Sequence, residues 1–104
     1  MSLPPPRTFA CDFDKTWTAD PEAFLVITQI LRARGHQFII ATNREHYSDD
    51  MRRYLPLILA VPIIYCGREL KEHACLKAGY TVDIWIDDTP GTIQHCAILG
   101  DQPL

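Results

Sequence analysis

The chain has 104 residues, 47% of them hydrophobic and 22% charged, and a net charge of −3. That is enough for one domain around one core, and the scattered Lys and Arg exclude the electrostatic footprint of general nucleic-acid binding. No apolar run reaches the length of a transmembrane span or a signal-peptide core, so a cytoplasmic home without a membrane partner is expected.

Taken in chain order, "MSLPPPR" (1–7) reads as a poorly ordered leader to a single domain over 1–104. The run "TFAC" (8–11) has the length and content of a buried strand and hands over abruptly to "DFDKTW". Next comes a helix. Asp20 suits the N-cap, Pro21 the first helical position and Glu22 the positive end of the helix dipole. Ala23, Phe24, Ile27, Ile30 and Leu31 then recur at three- and four-residue steps, and Gly35 can close the helix. "QFIIA" (37–41) is a second strand, followed by a helix over roughly 44–55 with Tyr47, Met51, Tyr54 and Leu55 on one face, stopping before Pro56. "PIIYC" (62–66) is a third strand. A third helix, over roughly 68–78, carries Leu70, Ala74 and Ala78 and ends at Gly79. "VDIWI" (82–86) is a fourth strand, in which Trp85 reads as core or as packing on the sheet's other face. The tail opens with a Pro-Gly turn and holds one more apolar stretch, "CAIL".

Four cysteines, Cys11, Cys66, Cys75 and Cys96, form no C-x-x-C pair. They read as buried free thiols, because neither His73 with Cys75 nor His95 with Cys96 has a zinc-site spacing. His36, His46, His73 and His95 read as surface residues. Arg44, Arg52 and Arg53, the closest thing to a basic cluster, read as a solvated helix face.

Strand–helix alternation with strands apolar on both faces predicts a three-layer α/β/α sandwich with a mostly parallel, Rossmann-like sheet. Right-handed crossovers put every strand's carboxyl end on one edge, where such sheets bind ligands. At that edge the runs end in Asp12-Phe13-Asp14, in Thr42-Asn43-Arg44, in Gly67 and in Asp87-Asp88. Four carboxylates converging there repel one another unless a cation lies between them. Oxygen-rich sites of this kind select hard ions, most often Mg²⁺.

The order and content of these pieces resemble the haloacid dehalogenase superfamily of phosphatases. The match lies in "DFDKT" (12–16), "IIATN" (39–43), a lysine, and "IWIDDTPG" (84–91). The resemblance implies a small capless member, an Mg²⁺ cofactor, and phosphomonoester hydrolysis through an aspartyl-phosphate. Within it, Asp12 is the nucleophile and Asp14 the general acid, whose backbone carbonyl rather than side chain meets the metal. Thr42 and the amide of Asn43 hold phosphoryl oxygens, and Thr16 braces the loop. Asp87 and Asp88 complete the metal site, one directly and one through water. Arg44 is either a contact to a substrate phosphate or a solvated charge. The lysine that offsets charge in the transition state is Lys71, at the start of the third helix, or Lys77, about 9 Å further along its axis. Lys71 is preferred, and Lys15 is expected to turn outward.

Only about twenty residues separate successive strands, room for one helix and its turns. The pocket is therefore expected to be open, able to take a phosphorylated small molecule or the end of a macromolecule, with Trp17 at its entrance. Asp101 lies too far on to add a further acidic ligand. Three other readings compete. A non-catalytic phosphate- and metal-binding module has no need of a general acid at Asp14. A phosphoacceptor receiver has its acidic pair after the first strand, the wrong order. A phosphotransferase differs only in what accepts the phosphoryl group from Asp12.

Overall fold

Four short apolar segments pair side by side in one direction: β1 (Thr8–Cys11), β2 (Gln37–Thr42), β3 (Ile63–Tyr65) and β4 (Ile84–Ile86). The computed structural model describes residues 2–54, 58 and 60–94. All pairings are parallel and the strand order is β3-β2-β1-β4. Ala10 lies opposite both Ile39 and Trp85, which makes β1 an interior strand. The result is a Rossmann-like α/β fold.

Side chains alternate along the strands and fill two cores. On one face Cys11, Phe38 and Ile40 pack with Phe13, Trp17 and Met51, and Phe24 and Leu31 of α1 (Pro21–Ala33) cover them. On the other, Ala10, Ile39 and Ala41 meet Ala74 and Cys75 of α2 (Lys71–Lys77), and Trp85 packs against that cluster. Both strand faces are thus covered, as the unbroken apolar runs require.

Helix α1 forms where its signals lie. The Asp20 side chain accepts the Ala23 N–H at 3.1 Å, Pro21 opens the helix, and Gly35 leaves it with φ +89°. Its apolar pattern is wider than its contact. Phe24 and Leu31 face the core with buried Thr28, whereas Ile27 and Ile30 are exposed. Among the described residues no helix is long and apolar enough to cross a membrane.

Three expectations are corrected or fall outside the described residues. In place of a helix over 44–55, residues 44–48 are irregular and a 3₁₀ segment spans Asp49–Tyr54. Met51 and Tyr54 are three residues apart, a spacing that serves a 3₁₀ turn as well as an α-helix. Leu55 and Pro56 lie outside the described residues. Trp17 is not at the entrance: it is fully buried between Phe24 and Phe38, with ring centroids 5.8 and 6.1 Å away. The chain turns inward immediately after the aspartates, and a large ring gains most by filling the core. A 3₁₀ turn follows β4 at Pro90–Thr92; "CAIL", His95, Cys96 and Asp101 lie outside the described residues.

Candidate active site

From β1 the chain moves one way, through β2 to β3, and later returns to place β4 on β1's other side. The carboxyl ends of β1 and β4 therefore flank a topological switch point, where crossovers diverge and leave a crevice. Asp12 leaves β1 there, and Asp87 and Asp88 leave β4. The Asp12 N–H donates to the Ile86 carbonyl at 2.9 Å, which carries the ladder one step beyond the strands and sets the acids side by side.

The loop after Asp12 closes tightly. Trp17 N–H donates to the Asp12 carbonyl at 3.1 Å and Thr18 N–H to that of Phe13 at 3.0 Å. Lys15 reverses the chain in the left-handed region, at φ +64°. This brings Thr16 back onto the acids: its hydroxyl lies 3.3 Å from both Asp12 Oδ2 and Asp88 Oδ1 and accepts the Asp88 N–H at 3.2 Å. With one proton and two lone pairs, it ties both ends of the chain together.

Lys71 is the first residue of α2, so its side chain starts at the same sheet edge. Its Nζ donates to Asp12 Oδ1 at 2.8 Å and to Asp87 Oδ2 at 2.6 Å. The three side chains are 2%, 9% and 1% exposed respectively, so water screens this network little. Lys77 points elsewhere, 71% exposed and paired with Glu69 at 2.8 Å. Burial raises the Asp12 carboxyl above its ordinary range; the Lys71 hydrogen bond opposes this and contact with Asp88 adds to it. Asp88 is lowered, chiefly by that contact with Asp12. Burial alone pulls the Lys71 ammonium down, but its bonds to Asp12 and Asp87 leave it raised.

Asp12, Asp87 and Asp88 each offer an oxygen, all within 4.8 Å of one another. Opposite ligands of a small octahedral cation lie about 4.2 Å apart, so a slight contraction lets the three share one ion. Three carboxylates against one ammonium also leave excess negative charge, which a hard divalent cation would neutralise. A pocket of about 210 Å³ opens over them, lined by Asp12, Asp14, Asn43, Lys71, Asp88 and Thr89. Lys15 is exposed yet reaches the same rim. A larger groove of about 470 Å³, between Thr18–Glu22 and Arg53–Tyr54, contains none of the clustered acids.

The remaining residues of the motifs divide. Asn43 lines the pocket, its side-chain amide donating to the Gly67 carbonyl at 3.1 Å. Thr42 is 1% exposed, lies beneath the lining, and accepts the Arg44 N–H at 3.2 Å. The Asp14 carboxylate stands apart from the acidic cluster and pairs with Arg44 through two bonds, of 2.9 and 2.8 Å. Arg44 in turn binds Asp50 and Ser48. Asp50 and Ser48 are not expected from the motifs, although "NREHYSDD" sets a serine and an acid four and six residues after the arginine, within reach of a long side chain.

Cys11, beneath Asp12, is buried, and its thiol is pushed up to about 12 by burial first and by the charges of Asp12 and Asp87 next. It is inert packing. Cys66 and Cys75 are likewise buried free thiols. No protein-family model, curated protein or solved structure matches this chain, and the comparisons identify no family. What stands is a parallel α/β fold with three acids and a buried lysine gathered at its switch point.

Proposed function

We propose that the chain is an Mg²⁺-dependent phosphatase of the haloacid dehalogenase type, cleaving a phosphomonoester through a phosphoryl group held on Asp12. The observation that carries this reading is the placement of Asp12. It sits at the floor of the pocket, bonded to the Lys71 ammonium and clustered with Asp87 and Asp88 at the switch point. A lysine held between two buried acids, beside a third, is costly as a purely structural device.

An Asp12 oxygen forms a bond to phosphorus as the ester P–O bond breaks, and Asp14, whose proton must sit on a lone pair that the Arg44 fork leaves free, gives that proton to the leaving oxygen. Water then attacks the phosphorus of the aspartyl-phosphate, losing its proton to Asp14, and inorganic phosphate leaves. Lys71 offsets the negative charge that builds on the phosphoryl oxygens. The amide of Asn43 orients those oxygens, and Thr42, buried beneath the lining, supports that turn by accepting the Arg44 N–H. Asp12, Asp87 and Asp88 would hold Mg²⁺, with the Asp14 carbonyl as a further ligand; bound there, the ion supplies charge neutralisation of the phosphoryl group. A pocket of about 210 Å³ holds a phosphoryl group and leaves the rest of the substrate outside. The reading therefore extends to bulky phosphorylated small molecules and macromolecular ends.

The test is a broad panel of phosphate esters assayed with Mg²⁺. Turnover is expected, and both Asp12→Asn and chelation should abolish it. Inactivity across the panel, with metal binding retained, would instead favour the non-catalytic phosphate- and metal-binding module. Transfer to an added alcohol in preference to water would favour the phosphotransferase.

A further inference from the structure

Behind Asp14 stands a built arrangement that the acidic cluster does not include. An arginine has five N–H donors, and Arg44 makes five hydrogen bonds. Nε and Nη2 reach the two oxygens of Asp14 at 2.9 and 2.8 Å, Nη1 and Nη2 those of Asp50 at 2.8 Å each, and Nη1 the Ser48 hydroxyl at 2.6 Å. The guanidinium also lies over the ring of fully buried Phe13, 5.3 Å from its centroid, and Tyr54 meets the same ring edge-on at 5.4 Å. Core packing thus fixes the plane of the guanidinium, and Asp50 and Ser48 fix its rotation. With every donor engaged, Arg44 has none left over for a substrate anion.

Asp14 needs such a holder. Its side chain is half exposed, on a loop that reverses one residue later, and among the described residues Arg44 is the group that binds its carboxylate. Asp14 lines the pocket and Arg44 does not. The arginine works from behind, on the acid and not on the ligand.

We infer that Arg44, locked by Asp50 and Ser48, is a positioning residue that sets where the Asp14 carboxyl group stands relative to the leaving oxygen. This rests on the reading of Asp14 as the proton donor. A merely structural role, tying residues 44–50 to the loop after β1, predicts a different outcome. A misplaced proton donor harms esters with poor leaving groups far more than those with good ones, because a nitrophenolate departs without help. A loosened fold harms both alike.

The experiment compares kcat/KM for p-nitrophenyl phosphate and for glycerol phosphate, using the full chain with Mg²⁺. The quantity stops at departure of the leaving group, so the later hydrolysis of the aspartyl-phosphate does not enter. Arg44→Lys keeps the charge but loses the fork; Asp50→Ala removes the lock at an exposed position; Asp49→Ala, at an exposed residue that among the described residues pairs with Arg52 alone, is the control. The glycerol-to-aryl ratio should fall about tenfold in Arg44→Lys and about threefold in Asp50→Ala, part of the hundredfold or more that a general acid supplies. It should hold in Asp49→Ala. Equal losses on both esters, or an unchanged ratio, overturn the inference while the phosphatase reading stands. Inactivity of the unmodified chain on these two esters and across the wider ester panel overturns both.

Discussion

The two aspartates of "DFD" stand two residues apart and are treated in opposite ways. Asp12 sits at the floor, sharing the Lys71 ammonium with Asp87 in a network almost sealed from water. Asp14 sits at the rim, sharing the Arg44 guanidinium with Asp50, with side chains 49% and 63% exposed. Each site is two carboxylates around one cation, yet the energetics differ. A buried group left without its partner costs several kcal/mol, whereas an exposed pair contributes little. The cation type follows the task. A lysine is a compact charge that can sit between two buried oxygens, and a forked guanidinium fixes the plane of a carboxylate. The floor therefore weighs more in stability, and the rim holds the Asp14 carboxylate in one plane.

Lys71→Met should break that contrast most severely. It leaves Asp12 and Asp87 facing each other without a cation, and about 3–5 kcal/mol of stability should be lost in urea unfolding. Added Mg²⁺ should restore part of that loss by binding the folded form. Lys77→Met, at an exposed pair, should leave the unfolding midpoint unchanged. Thr16→Val comes next. It removes the hydroxyl that joins Asp12 to Asp88, at a cost of about 1 kcal/mol, and it should weaken metal binding as measured by calorimetry.

The two regions should also respond at opposite ends of the pH scale in the metal-free protein. Lys71 is raised above its ordinary 10.5 by its carboxylate partners, working against burial. Its contribution is complete below that value and is lost as pH rises through the folded value. Unfolding by urea should therefore become easier above about pH 10.5, and Lys71→Met should remove the trend. Asp50 is lowered from its ordinary 3.8, by Arg44 first and Ser48 second. Its contribution is present above 3.8 and fades as pH falls below it. Asp50→Ala should flatten that smaller acid limb and leave the alkaline one intact. Least of all, Asp50→Ala at neutral pH should lower the unfolding midpoint only by the small contribution that the acid limb carries, far less than Lys71→Met does.

Much of the floor was legible in the sequence because its signals are local. Each apolar run ends where its polar residue begins, so Asp12, Thr42 and Asp87 fall at strand ends without any knowledge of the packing. Asp20 and Pro21 announce α1 for the same reason. Lys71 was harder, since its choice over Lys77 turned on where a seven-residue helix begins. The rim was legible only in part: Asp14 and Arg44 stand out in the motifs, but their pairing and the roles of Ser48 and Asp50 do not. Trp17 was expected outside because it adjoins polar residues, but the left-handed turn at Lys15 swings the next residues inward, and nothing in "DKTW" marks that reversal. Asp50 falls in a stretch whose apolar spacing suits an α-helix and a 3₁₀ turn equally well. Once residues 44–48 run as irregular chain, Asp50 can fold back onto Arg44.

The central claim is that Asp12 carries the phosphoryl group. The most direct measurement is acid quenching during turnover of p-nitrophenyl phosphate with Mg²⁺, followed by peptide mapping by mass spectrometry. The account predicts one phosphoryl group on Asp12, absent after chelation and absent in Asp12→Asn. A phosphoryl group on another residue, or turnover that survives Asp12→Asn, would contradict it.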